Sequence, residues 1–388
     1  MVEKLEKICT VISGYAFKSI DLSDGLDIPV IKIGNISNGE NVKIDDSTQF
    51  VAKEFLKIDS KYHINRGDIL ISLTGSHMNQ PNSMVGRCCR NLDDNIYLLN
   101  QRAGKIIPKE STNKDFLYYI FQLKSVQYAI VNRAYGGANQ VNVSPKDIMG
   151  IKFEIPDLNK QNQIAKILLS YDSIIQNNIK RMELLEDIAE SVYKEWFVRF
   201  RFPGWKNSKF KNNIPTDWHY VKLKFLATIS TGKCNREDAE EGGIYPLFDR
   251  SQDIKRSNVW LKDCEAIIVP GEGTSFIPRY YKGKFNLHQR CYCVEPKKSN
   301  IGFYLFQTLK MNRKYFLYVA TGATVPSLRL NNFNEFKLLL PNEELYDKYN
   351  RIAKNINIEI ELLVKQNELL IKQRDMLLPR LMSGKLKV

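Results

Sequence analysis

Two stretches of the chain carry apolar side chains at steps that alternate between four and three residues. In the first they fall at Ile164, Leu168, Tyr171, Ile175, Met182, Leu185, Ala189, Val192 and Trp196, with Asn178 in the same row. In the second they fall at Ile356, Ile360, Leu363, Leu370, Leu377 and Leu381, interrupted by Asn367 and Arg374. That spacing keeps one stripe on one side over several turns, so it predicts long helices with heptad seams. No Gly or Pro interrupts residues 157–202, and Pro379 comes only near the end of the second segment. At ~1.5 Å per residue, each helix would reach about 50 Å. A small domain cannot cover so long a stripe, so the two seams are expected to pair antiparallel. The alternative is that each seam packs on its own globular neighbour. Asn178 and Asn367 sit near the helix middles and are expected to face each other and fix register, as buried Asn does in coiled coils. The plainer alternative puts them at a fraying edge of the seam.

Outside these segments the pattern is short alternating runs broken by Gly, Asn and Pro, and it repeats. Residues 6–19 (EKICTVISGYAFKS) resemble 224–237 (KFLATISTGKCNRE), and 67–72 (GDILIS) are matched with 264–269 (CEAIIV). Gln101-Arg102 returns as Gln289-Arg290 at an offset of 188. Gly136-Gly137-Ala138 returns as Thr321-Gly322-Ala323 at an offset of 185, and Ile151 to Pro156 returns as Phe336 to Pro341. Five anchors in one order, each set followed by a long helix, indicate a duplicated domain-plus-helix unit. The period far exceeds that of a solenoid. Residues 114–131 and 301–319 are rich in Tyr, Phe and Leu at helical spacing, and each predicts a paired helix. The fold class is therefore α+β: two mixed α/β domains, 1–156 and 203–341, separated by long antiparallel helices over 157–202 and 342–388 that form a coiled-coil-like spacer.

Composition adds a partner. Lys and Arg total 57 against 43 Asp and Glu, a net charge of +14. An excess of that size points to a polyanion, nucleic acid first, although many basic proteins bind none. The first residues, Met1 to Lys7, carry acids and lack the apolar stretch of a signal peptide, and no apolar run approaches the ~18 residues of a membrane span. A cytoplasmic protein without membrane contact is expected. The cysteines (Cys9, Cys88, Cys89, Cys234, Cys264, Cys291, Cys293) show no C-x-x-C spacing and are odd in number, so reduced thiols are expected rather than a zinc site or disulfides.

Near-matches to catalytic motifs lack residues that the motifs require. The stretch 227–234 (ATISTGKC) approaches a phosphate-binding loop, but Cys234 replaces the metal-binding hydroxyl and Gly14-Tyr15 lacks the Lys. A strand-to-loop turn suffices to explain it. Glu335-Phe336-Lys337 resembles part of a nuclease E-x-K, yet its repeat partner is Gly150-Ile151-Lys152, so a structural edge is preferred. His63, His77, His219 and His288 lack metal-ligand spacing, and Cys291-x-Cys293 reads as strand packing. No catalytic residue, metal site or cofactor is expected in this chain.

Polar loops that could reach base edges of double-stranded DNA are then the candidate chemistry, because Asn and Gln suit adenine and Arg suits guanine. In the first copy these are Thr74, Ser76, His77, Asn79 and Gln80, and Arg133, Gly136, Gly137, Asn139, Gln140 and Ser144. In the second they are Arg250 and Gln252; Thr274, Ser275 and Arg279; and Thr324, Ser327 and Arg329. Ordinary polar surface is the alternative for any one of them. Arg102 and Arg290, retained in both copies, fit a shared structural or phosphate role, since readers of different half-sites should differ.

The strings 156–168 (PDLNKQNQIAKIL) through 193–198 (YKEWFV), and 373–384 (QRDMLLPRLMSG), resemble the conserved regions of the specificity subunit of Type I restriction–modification enzymes. The likeness extends over essentially the whole chain, sparsely in the globular parts. It implies two target recognition domains reading a split, asymmetric site and no catalysis by this subunit. It also implies two methyltransferase subunits supplying S-adenosylmethionine chemistry, and restriction subunits using ATP with Mg. A coiled-coil protein-binding adaptor, a complete modification enzyme and a specificity chain of a related multisubunit Type II system are the competing readings.

Overall fold

The computed structural model describes residues 2–387 apart from 38, 40, 77–83, 138, 139 and 323. It divides into two compact units, Met1–Asn177 with Asn367–Val388, and Asn178–Gln366. Each unit therefore holds one globular domain, the start of the helix that follows it and the end of the other long helix. The long helices are Leu158–Tyr193, with a wider π turn over Lys194–Val198, and Glu343–Met382. The first stops where Phe200 takes a left-handed φ of 57° ahead of Pro203. Among the described residues, no helix is long and apolar enough to cross a membrane.

In the first unit, Val2–Lys4 pairs antiparallel with Lys152–Glu154 and so closes the domain's beginning onto its end. The main sheet has the order Cys9–Ser13, Ala103–Pro108, Ile69–Ser72, Cys88–Arg90. Ile69, Ile71 and Ile106 point to a core shared with the helices Lys114–Gln122 and Lys124–Val131, whereas Leu70, Cys89 and Ala103 join Ile31, Tyr97 and Leu99 on the other face. Both faces are covered, so the strand reads as a continuous apolar run. Ile164, Ala165 and Leu168 of the first long helix, and Leu378, Leu381 and Met382 of the second, complete the same core.

Ala227–Thr231, Cys291–Pro296, Lys262–Pro270 and Arg279–Leu287 repeat that sheet order in the second unit, with Tyr245–Phe248 and Lys255–Ser257 added at the edge. His219–Lys222 pairs with Lys337–Leu340 as the closing ribbon. The paired helices expected at 114–131 and 301–319 are present in both units, the second as Gly302–Met311 and Arg313–Val319. One alignment needs correcting. Ala103 pairs with Ser72, and its counterpart Cys291 pairs with Pro270, so 67–72 matches 265–270 rather than 264–269. Apolar residues cover both faces of these strands, leaving no alternation to reveal the slip.

The seam positions Ile164, Leu168, Ile175, Asn178 and Leu363 are buried, and Met182, Leu185, Leu370 and Leu377 are half-buried. In the first unit the Asp172 carboxylate accepts from Arg374 Nη1 at 2.7 Å, Arg90 Nη2 at 2.9 Å and the Tyr119 hydroxyl at 2.5 Å. Arg90 also donates to Asp115 at 2.6 Å and lies 3.9 Å from the Tyr118 ring centroid. In the second unit Arg181 meets Glu359, and the Tyr349 hydroxyl donates to the Ala189 carbonyl, so the two helix segments run in opposite directions. Asn178 donates to Gln366 Oε1 at 2.9 Å within the second unit, and Asn367 donates to the Ile175 carbonyl at 3.4 Å within the first. Both amides are buried, at 3% and 8% exposure, so neither lies at a frayed edge.

Removing a partner from a buried charge network leaves uncompensated charge and costs ~3–5 kcal/mol, whereas an exposed pair contributes under ~1 kcal/mol. Urea unfolding of Asp172→Ala should show the larger loss, in the first unit. Arg181→Ala, at a pair exposed by 53% and 44%, should show the smaller.

Candidate nucleic-acid interface

Strand pairing brings together loops that are far apart in sequence. In the first domain Thr74–Gly75 pairs with Gln140–Asn142, which pairs with Tyr135–Gly137, so strands from two sequence-distant candidate loops share a small sheet. Leu73 ties that sheet to the Gln-Arg turn: its N–H donates to the Arg102 carbonyl at 3.0 Å and its carbonyl accepts from Val143 at 2.9 Å. In the second domain Gly271 donates to the Arg290 carbonyl at 2.7 Å and accepts from Leu328 at 2.8 Å. Glu272 and Thr321 each bridge to Ser327 there. Two sequence-distant segments and a Gln-Arg turn thus meet in the same way in both copies.

Close backbone approach dictates the glycines in this framework. A Cβ on Gly136 would lie 2.5 Å from the Gln140 carbonyl oxygen, and one on Gly322 would lie 2.5 Å from that of Val325. Their φ values of 143° and 116° also favour glycine. At the Gln-Arg turns, a buried side chain holds the next-but-one amide: Asn100 Oδ1 accepts from Arg102 at 3.3 Å, and His288 Nδ1 accepts from Arg290 at 3.0 Å. Burial lowers the His288 pKa, assisted by Arg250, and so favours the neutral ring that this acceptor role requires. Gly232 fits against the same turn, where a Cβ would meet the Leu287 carbonyl oxygen at 1.9 Å. The N–H groups of Lys233 and Cys234 are spent on that carbonyl, at 3.0 and 3.3 Å. The phosphate-loop lookalike is a strand-to-loop turn.

The candidate readers separate by what their side chains already do. Thr74 is buried and donates to Asn142 Oδ1 at 2.7 Å, and Ser76 is also buried. Ser144 caps a short helix by accepting from Asp147, and Arg279 donates to the Ser251 and Asp249 carbonyls at 2.9 and 2.6 Å beside the Phe248 ring. Ser327 is half-buried in its bridge, and the carbonyl of half-buried Ser275 accepts from Arg313. These six support the loops. Arg102, Arg133, Gly136, Gly137, Gln140, Gln252, Thr274, Thr324 and Arg329 are exposed, with one Arg133 nitrogen on the Ala129 carbonyl. His77, Asn79, Gln80 and Asn139 lie outside the described residues.

Glu272 was not legible as a site residue. It binds Arg250 at 2.7 Å and Arg290 at 3.2 Å, gathering two guanidiniums that stay about half exposed. The glycines flanking Glu272 were its only signal. Beneath Arg250, burial works against the Asp249 charge, but the Lys255 ammonium and the Ser251 hydroxyl and amide hold the carboxyl at about 2. Its stabilising contribution is complete above the unfolded carboxylate range and is lost as pH falls through about 2. Elsewhere Glu335 is held at about 2 by Lys222 and Lys224, an ion-paired end to the closing ribbon rather than part of a nuclease triad.

Gly232→Ala should cost about 3 kcal/mol or more of stability in the second domain, by thermal or urea unfolding, because backbone lies where the methyl must go. Lys233→Ala should change stability by less than about 0.5 kcal/mol.

The family model for the Type I restriction modification DNA specificity domain matches residues 1–187 and 215–368, one stretch per repeat. The MjaIX specificity subunit of a Type I restriction enzyme from Methanocaldococcus jannaschii is 24% identical over 392 residues, covering 94% of this chain and 88% of the relative. The EcoDI specificity subunit of Escherichia coli is 34% identical over 128 residues, 33% of this chain and 28% of that one. Among solved structures, the S subunit of a Type I restriction-modification system from M. genitalium superposes with a TM-score of 0.57 at 17% identity, covering 98% of this chain and 96% of that one. With its two repeats both matched by the model, the chain belongs to the Type I restriction-modification DNA specificity family.

Proposed function

We propose that the chain is the non-catalytic, DNA-reading subunit of a Type I restriction–modification enzyme and that each globular domain reads one half of a split, asymmetric site. The carrying observation is the pair of equivalent loop frameworks, a small sheet in the first domain and isolated bridges in the second, built on the same backbone bonds at Leu73–Arg102 and Gly271–Arg290 but bearing different exposed side chains. A common frame with unlike side chains suits two unlike half-sites. Arg102 and Arg290, shared by both copies, suit phosphate contacts that set register without reading bases. Gln140 in the first domain, and Thr324 and Arg329 in the second, are exposed and of a chemistry that suits base edges.

The long helices, 36 and 40 residues, act as the spacer in this reading. Their length suffices for readers one turn of DNA apart, ~34–36 Å, and half-site centres about ten base pairs apart. Two methyltransferase subunits docked on the helices bring S-adenosylmethionine, and restriction subunits bring ATP with Mg. The enzyme works in the cytoplasm, where its DNA lies.

Binding of the full chain, with its methyltransferase partner, to duplex DNA should weaken steeply with salt. Arg102→Ala and Arg290→Ala should weaken binding to all sequences alike and shrink the log–log salt slope by about one each. Arg329→Ala should instead relax discrimination at one half-site by about 1–3 kcal/mol. Salt-independent binding, or none, would favour a protein adaptor. Deleting a whole number of helical turns from both seams should change the gap between half-sites and leave the half-sites themselves unaltered.

A further inference from the structure

The second domain holds a cluster that the reading function leaves unused. Cys264 lies on Lys262–Pro270, and Cys293 and Glu295 lie on the adjacent strand Cys291–Pro296. Ile268 pairs directly with Cys293, so by the period-2 alternation Cys264, Cys293 and Glu295 share one face of the sheet. Their ligand atoms all lie within 4.8 Å of one another. Cys293 is fully buried against Ala266, Ile268 and Phe285, while Cys264 and Glu295 are half-buried at the open margin of this core. Lys262 stands beside the cluster, 3.1 Å from Glu295.

We infer that Cys264, Cys293 and Glu295 bind a thiophilic divalent cation of the zinc class. Two sulfurs and one carboxylate oxygen match the ligand preferences of such an ion and fill three corners of a tetrahedron, with solvent for the fourth. Binding converts two thiols to thiolates and releases two protons per ion. Two thiolates, one carboxylate and a dication sum to one negative charge, and the Lys262 ammonium beside Glu295 neutralises it.

Among the described residues the site belongs to the second domain alone. At the register position of Cys293 the first domain has Lys105, opposite Leu70, with its ammonium on the His63 carbonyl and beside Asp68. It also lies away from the reader edge, because Gly271 and Arg290 flank the opposite ends of the same two strands. The ion would therefore act as a staple between strands.

The test uses the reduced full chain and zinc, with cobalt as the spectroscopic probe. One zinc per chain should bind with release of about two protons. Cobalt should give thiolate-to-metal charge-transfer absorption, and zinc should raise the thermal midpoint. Cys264→Ser and Glu295→Gln, both at half-buried positions, should each weaken binding at least tenfold and abolish the zinc-dependent shift; Cys9→Ser should do neither. Absence of zinc binding, cobalt absorption without a thiolate band, or binding unchanged in Cys264→Ser and Glu295→Gln would overturn the assignment.

Discussion

One carboxylate carries the joint between the first globular domain and the helices. Asp172, on the first long helix, receives a guanidinium from the domain through Arg90, a guanidinium from the second helix through Arg374, and the hydroxyl of Tyr119. All three charged side chains are less than a fifth exposed, so none has a solvent alternative. Shifting either helix by one residue would strand a buried charge. Apolar packing around Ile164, Leu168 and Leu378 tolerates sliding far better than this network does. Under the proposed function, such a joint would hold the reading edge of the domain at a set angle.

The second unit makes the equivalent joint from aromatic rings. Phe197 packs edge-on against Tyr304 and Tyr349 at centroid distances of 4.8 and 5.3 Å, and Tyr193 adds a hydrogen bond to Thr308 at 2.8 Å. Rings bury area without the desolvation cost of charge, and their edge-to-face geometry still fixes orientation. The two copies thus keep one architecture and replace the chemistry of its joint. The same freedom shows in the loop frameworks, where the backbone bonds at Leu73–Arg102 and Gly271–Arg290 repeat and most exposed side chains do not.

The long helices and the repeat order were legible because they depend on spacing: a stripe at steps of four and three, and Gly, Gln-Arg and Pro anchors that recur in order. The glycines at 14 and 232 marked a contact, not a phosphate site, and their presence in both copies was the available clue. The sequence pattern leaves the strand at 264–270 ambiguous by one residue because burial on both faces erases its alternation. Arg279 and Thr74 look like readers in sequence and are committed inside the loops, since hydrogen bonds to distant carbonyls and amides leave no local pattern. Glu272 was invisible for the same reason: its partners Arg250 and Arg290 are brought to it only by the sheet.

Two equivalent frames carry unlike side chains, and methylation of genomic DNA reports on them most directly. Long-read methylation profiling of a host with and without the chain should reveal one split motif, its two half-sites unlike in sequence and separated by a fixed gap. A continuous palindromic motif, or a methylation pattern indifferent to the chain, would contradict it.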